Sequence, residues 1–137
     1  MESITSVFKD KKLKLTPQRI AVYKYLKSTK EHPSAESIYK ALQPEYPTMS
    51  LATVYKALKT LVAVNLVQEL NVGEGNFRYD AEVESHPHIQ CLSCGRVDDI
   101  MGINLMYLND TVSDYSDYTI LSNKVYFYGT CSDCNNI

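Results

Sequence analysis

Long apolar runs are missing from this chain. No stretch approaches the roughly twenty residues that span a bilayer, so no membrane partner is expected. The opening MESITSVFKDKKLKL lacks the apolar core of a secretory signal, and the cytoplasm is the expected setting. Internal repeats and low-complexity linkers are absent as well, which sets aside solenoids and tethered modules. There is no overall excess of basic charge, and a net charge of −2 taken alone argues against nucleic acid. Histidine and cysteine are scarce, at three and four. Cysteines in a reducing compartment are more often metal ligands than disulfides.

The charge that is present is unevenly placed. Residues 1–80 hold 12 Lys and Arg against 8 Asp and Glu, while residues 81–137 hold 2 against 8. A basic front half and an acidic back half point to different tasks. A length of 137 residues fits one domain of ordinary size or two small ones, and the expected division is 1–80 and 81–137.

The front half reads as helices closed by a hairpin. Thr16 and Pro17 make an N-cap and first helical residue, followed by an apolar face of Ile20, Val22, Tyr23 and Leu26. Ser34 caps a further helix with Ile38, Ala41 and Leu42 facing inward. Ser50 caps LATVYKALKTLV, whose stripe is Leu51, Val54, Leu58, Leu61 and Val62. Ser50, Ala52, Thr53, Tyr55, Lys56 and Lys59 are left on the opposite side. The runs LVQEL and FRYD flank the turn-rich NVGEGN and read as two short strands. Three helices and a hairpin make a winged helix-turn-helix, whose last helix would enter the major groove of double-stranded DNA. Ser50, Thr53, Tyr55 and Lys56 then lie near bases and phosphates, with Lys14 and Arg19 on the backbone. The competing reading of such a face is a solvated polar surface.

The back half reads as a small α/β unit, with strands at HPHIQCL and KVYFYGTC and a helix at INLMYLNDTVS. So small a unit buries little core and needs a metal or a partner subunit. The cysteines supply the metal: Cys91 and Cys94 form one CxxC, Cys131 and Cys134 another. Two such turns complete a tetrahedral Zn²⁺ site. A disulfide pair or a redox dithiol is the competing reading, disfavoured by a cytosolic setting and because no helix is read as starting at either CxxC. His86 and His88, two apart on a strand, project from one face, with Asp80 and either Asp98 or Asp99 nearby. Nitrogen and carboxylate donors suit Fe²⁺ or Mn²⁺, so the two sets sort by softness.

Taken together, LTPQR, HPSAESIY, MSLATVYKAL, FRYD, HPHIQCLSCG and the final YGTCSDC resemble the ferric uptake regulator family of bacterial metal-dependent transcription factors. The resemblance implies an α+β chain, with an N-terminal winged helix-turn-helix domain and a small C-terminal α/β dimerisation domain stapled by a four-cysteine zinc site. It also implies a homodimer on a palindromic operator, and repression while a regulatory metal is bound. The peroxide-sensing branch is the most similar. Its three His and two Asp fall here on His32, Asp80, His86, His88 and Asp99, where iron-sensing members carry Glu at the two Asp positions. Every histidine is thereby used, leaving none for a second regulatory site. The branch implies a stoichiometric sensor rather than an enzyme: Fe²⁺ with peroxide oxidises a ligand histidine, His32 or His86, and the repressor leaves DNA. An iron- or manganese-responsive regulator without peroxide sensing is the alternative. Two further alternatives are a metalloenzyme, for which no base or nucleophile pattern is found, and a purely structural zinc module. One departure concerns the operator: Lys56 and Ala57 follow the ATVY tyrosine, where peroxide sensors often carry Asn-Asn.

Overall fold

A computed structural model describes residues 3–73 and 76–135. The chain divides into two compact units, residues 1–83 and 84–137. The division falls three residues beyond the expected boundary because residue 82 is tied back to the first unit. Gln68 Nε2 donates to the Glu82 carbonyl, and Glu82 N–H donates to Asp80 Oδ1 at 2.8 Å.

In the first unit α1 (Ile4–Asp10), α2 (Pro17–Ser28), α3 (Ala35–Leu42) and α4 (Leu51–Ala63) precede a two-stranded antiparallel sheet of β1 (Gln68–Leu70) and β2 (Arg78–Asp80). Each helix begins at a hydroxyl N-cap. Ser3, Thr16, Ser34 and Ser50 accept from the N–H three residues on, satisfying one of the donors a helix start leaves open. Thr16→Ala is expected to cost the first unit about 1 kcal/mol, lowering its Tm by several degrees. An unchanged melting curve would remove the cap from this account.

Two helices end alike. Asn65 takes a left-handed φ of 61° after α4, and Leu66 N–H donates to the Leu61 carbonyl at 3.0 Å. Lys12 does the same after α1 at φ 55°, with Leu13 N–H on the Phe8 carbonyl at 2.8 Å. These ends turn each helix back so that Phe8, Val22, Leu26, Ile38, Val54, Leu58 and Leu61 close one core. The α2–α3–α4 order with the β1–β2 hairpin is a winged helix, and α1 is an addition that no motif of the sequence names. Ala41 is exposed, against the inward position expected. At about 100° per residue it lies roughly 90° from the direction shared by Ala35, Ile38 and Leu42, so it flanks the buried stripe. The strands are shorter than the runs that suggested them, since Leu66 and Val67 are spent on the core and Phe77 is exposed. Glu74 and Gly75 of the expected turn lie outside the described residues.

The second unit contains β3 (His88–Cys91), β4 (Val97–Asp99), α5 (Met106–Asp114), β5 (Tyr126–Gly129) and the single turn α6 (Ser132–Asn135). The sheet order is β4-β3-β5, with β3 antiparallel to β4 and parallel to β5. The parallel pair needs a crossover, and the segment carrying α5 supplies it. Helix α5 starts three residues later than expected, with Asn104 Oδ1 accepting from Met106 N–H at 2.9 Å. None of its residues is buried. The strand β4 and the turn α6, of three and four residues, are too short to show a period in the sequence. A helical turn does open inside the second CxxC, at Ser132, which corrects the sequence reading. It arises because Cys134 N–H closes back on the Cys131 carbonyl at 3.1 Å, and one turn of four residues carries little dipole to activate a thiol.

Candidate metal centres and nucleic-acid face

The four cysteines meet where β3 ends and α6 begins. Gly95, at φ 81°, lets the chain reverse after β3, and its N–H donates to the Cys91 carbonyl at 2.9 Å. Cys91 and Cys94 thus sit on one tight turn, while Cys131 precedes α6 and Cys134 lies within it. All four Sγ atoms lie within 4.8 Å of one another, with Cys94 and Cys131 3.9 Å apart. Zn–S bonds of about 2.3 Å place tetrahedral sulfurs about 3.8 Å apart, so the set fits structural Zn²⁺. All four thiols are free, which leaves no disulfide between them.

Their protonation also calls for a cation. Backbone N–H groups of Cys131 and Cys94 pull the Cys91 thiol down to about 6. Hydrogen bonding to Cys131, Cys91 and Cys94 pushes Cys134 up to about 12. Sulfurs this close cannot all ionise unless a positive ion shares their charge.

The second unit also holds three of the hard-donor residues. His88 faces Asp99 across the β3–β4 register, and the His86 and His88 ring centroids are 4.4 Å apart. Asp99 Oδ1 lies 2.8 Å from His86 Nε2 and 3.2 Å from His88 Nε2. Alternation along β4 sends Asp98 to the other side, where it takes Arg96 Nε at 2.7 Å. Asp99 is therefore the carboxylate that meets the imidazoles. His86 Nδ1 stands 2.6 Å from the Glu84 carbonyl, which can only accept, so Nδ1 carries the hydrogen. In the neutral ring Nε2 then points a lone pair at a carboxylate oxygen. A proton or a metal ion between them removes that conflict, and a metal-ligating His commonly donates its other N–H to a backbone carbonyl. Donor lengths near 2.1 Å place neighbouring ligands about 3.0 Å apart, close to both separations here. Two imidazoles and one carboxylate are the facial set of non-haem Fe²⁺ sites, and such donors also suit Mn²⁺.

The first unit holds the other two. His32 Nε2 lies 3.3 Å from Asp80 Oδ2, and both residues are buried. His32 adopts φ 54°, rare for a residue with a side chain and frequent at functional sites. Tyr79 N–H donates to the Pro33 carbonyl at 3.0 Å, and Arg78 Nη1 reaches the His32 carbonyl at 3.4 Å. Those contacts lay the 32–33 segment along β2 and bring the imidazole to Asp80.

The candidate DNA residues also belong to the first unit. Tyr55 and Lys56 are exposed on α4, and Thr53 is half-buried. Ser50 Oγ accepts from Thr53 N–H at 3.1 Å as the helix cap and lies 2.9 Å from the Thr53 hydroxyl, so the two oxygens already engage each other. Lys14 is exposed, and Arg19 Nη1 donates to its carbonyl at 3.0 Å. Sequence reasoning missed Glu36, which accepts from the Tyr55 hydroxyl at 2.8 Å. Nineteen residues separate them, and no spacing rule links an α3 residue to an α4 residue. Among the described residues no helix is long and apolar enough to cross a membrane.

Comparison with known proteins gives a consistent result. The Ferric uptake regulator family matches residues 10–128. The transcriptional regulator PerR of Clostridium acetobutylicum is 76% identical over 136 residues, covering 99% of each chain. The peroxide-responsive repressor PerR of Staphylococcus aureus is 33% identical over 135 residues, 98% of this chain and 90% of that protein. Among solved structures, the Campylobacter jejuni peroxide stress regulator superposes with a TM-score of 0.76 at 34% identity, covering 97% of this chain and 100% of that one.

Proposed function

The chain belongs to the ferric uptake regulator family, and from that premise we propose a metal-dependent transcriptional repressor that hydrogen peroxide releases from DNA. The observation that carries the reading is the His86–Asp99 contact. An imidazole whose other nitrogen is committed to a backbone carbonyl aims its lone pair at a carboxylate 2.8 Å away. Such an arrangement is built to receive a cation.

In this reading one Fe²⁺ or Mn²⁺ is held by His32, Asp80, His86, His88 and Asp99, and Zn²⁺ by Cys91, Cys94, Cys131 and Cys134. Three of the five regulatory ligands stand beyond residue 83 and two before it. Metal occupancy then restricts the two halves relative to each other, and by linkage metal and operator strengthen each other's binding. Ser50, Thr53, Tyr55 and Lys56 contact the major groove, and Lys14 and Arg19 the phosphates, of a palindromic duplex bound by a homodimer in the cytoplasm. The exposed apolar side chains of the second unit, among them Leu121, Tyr115 and Met106, supply the dimer surface.

Held by these residues, Fe²⁺ would supply the one-electron chemistry that opens the O–O bond of H₂O₂ and would regain that electron as the ring is oxidised, so that the peroxide is the net two-electron oxidant. The oxidised residue is a histidine: one oxygen enters a ring carbon of His32 or His86, and the other leaves as water. An oxidised ring is a poor ligand, so metal and then DNA are lost. Each chain reacts once, which makes it a sensor and no enzyme.

The test is peptide mass spectrometry of the Fe²⁺-loaded chain before and after a brief low dose of H₂O₂, beside a Mn²⁺-loaded control. One added oxygen on the His32 or His86 peptide, in the iron form alone and with loss of DNA binding, is expected. Binding that tracks free metal with no added oxygen would make this an iron- or manganese-responsive repressor.

A further inference from the structure

The first unit contains a side-chain pair that neither metal centre uses. Tyr55 stands on the exposed side of α4, and its hydroxyl donates to Glu36 Oε1 at 2.8 Å. Glu36 is the second residue of α3, beyond the Ser34 cap. Its carboxyl is held below the usual range by the Tyr55 hydroxyl first, then by its own backbone N–H and, more weakly, by Ser34. The acceptor is thus ionised and fixed at a helix start. Ala35, Asn76, Phe77 and Tyr79 line the cleft around the pair, and the Tyr55 side chain remains exposed to solvent.

A carboxylate here is costly if the face binds DNA, because it repels phosphates. Its presence needs a reason beyond charge, and hydrogen-bond direction offers one. A phenol has one donor hydrogen and two acceptor lone pairs. With the hydrogen committed to Glu36, the oxygen can only accept from whatever else it meets. In the major groove the groups that donate are the adenine N6 and cytosine N4 amines, whereas guanine O6 and thymine O4 accept.

We propose that Glu36 is a specificity-determining residue: by holding the Tyr55 hydroxyl hydrogen, it makes Tyr55 an acceptor that selects an amine-bearing base edge. The assignment rests on the DNA-reading function above. Glu36 acts through Tyr55 and touches no base itself.

The experiment starts from a duplex that the Mn²⁺-loaded wild-type chain enriches from a randomised pool, with a scrambled duplex as reference. The readout is the ratio of the two affinities for wild type, E36A, E36Q, Y55F and the E36A/Y55F double variant. Removing the charge relieves repulsion on both duplexes, so binding to scrambled DNA holds or tightens in E36A. The ratio nevertheless falls, by roughly five- to tenfold, the size of one lost base contact. E36Q, which lacks the charge but keeps an acceptor oxygen, retains most of the ratio. Y55F matches E36A, and the double variant loses no more than either. Glu36 is exposed, so Mn²⁺ affinity and Tm are expected to match wild type. An E36A ratio equal to wild type, or an E36Q ratio as low as that of E36A, overturns the assignment. A wild-type chain that enriches no duplex sinks the DNA reading and this assignment with it.

Discussion

Cys91→Ser is expected to leave residues 84–137 without a fixed structure while the first unit stays folded. The reason is a comparison of magnitudes. A structural zinc site contributes on the order of 10–16 kcal/mol of apparent binding free energy in small domains, and that energy is folding energy where no preformed site exists. The second unit has little else, since its fully buried apolar side chains are few and α5 buries none. A unit of this size is marginal without a metal or a partner. Cys91 is also the most strategic of the four thiols. It is buried, its proton leaves readily, and its sulfur accepts the Cys131 N–H at 3.3 Å. Serine offers a harder, weaker ligand there. The variant should lose its bound zinc, and its tyrosine near-ultraviolet dichroism should fall toward that of wild type stripped by a chelator. The helical signal of the first unit persists, because Phe8, Leu26, Ile38, Leu58 and Leu61 owe nothing to the sulfurs. Full zinc content with an unchanged melt would show that the Cys91 thiolate is not needed to hold the zinc.

Asp99→Ala is expected to abolish the metal dependence of DNA binding and leave zinc in place. One carboxylate oxygen faces both imidazoles of the second unit. Its removal takes away the carboxylate set against both imidazoles. Loss of an outer-shell partner already costs 10–100-fold in metal affinity, so loss of a direct ligand should weaken Mn²⁺ binding by more than about 100-fold. Asp98→Ala is the control, since that carboxylate is paired with Arg96 and faces away. Asp99→Glu keeps the charge on a longer arm, and is expected to retain metal-dependent repression with reduced histidine oxidation. Equal Mn²⁺ affinity in Asp99→Ala and wild type would remove Asp99 from the site, and undiminished oxidation in Asp99→Glu would remove its role in peroxide sensitivity.

Much of this protein is legible in its sequence, and the legible parts are local. A cap such as Thr16 or Ser50 acts three residues ahead, a helical stripe such as that of α4 repeats within two turns, and a CxxC brings two sulfurs together on its own. Motifs of that range, with the family resemblance they carry, are sufficient for the winged helix, the four-cysteine cluster and the existence of a His/Asp set. The misreadings are local too. Ala41 is placed inward by composition although its angle puts it on the flank, and α6 escapes notice because four residues show no period.

Other features are decided only by chain segments brought together from far apart in sequence. Nothing in the run CGRVDD distinguishes Asp98 from Asp99, but pairing of β4 with β3 sends one carboxylate to Arg96 and the other to the imidazoles. The tautomer of His86 depends on the Glu84 carbonyl, and the strained backbone of His32 on hydrogen bonds from β2. Glu36 meets Tyr55 because α3 packs on α4. Sequence alone determined which donors and which helix this protein has, because those follow from spacing along the chain. Which oxygen faces which nitrogen, and which carboxylate holds the Tyr55 hydroxyl, were left to tertiary packing, because strand register and helix contact are set by the whole core.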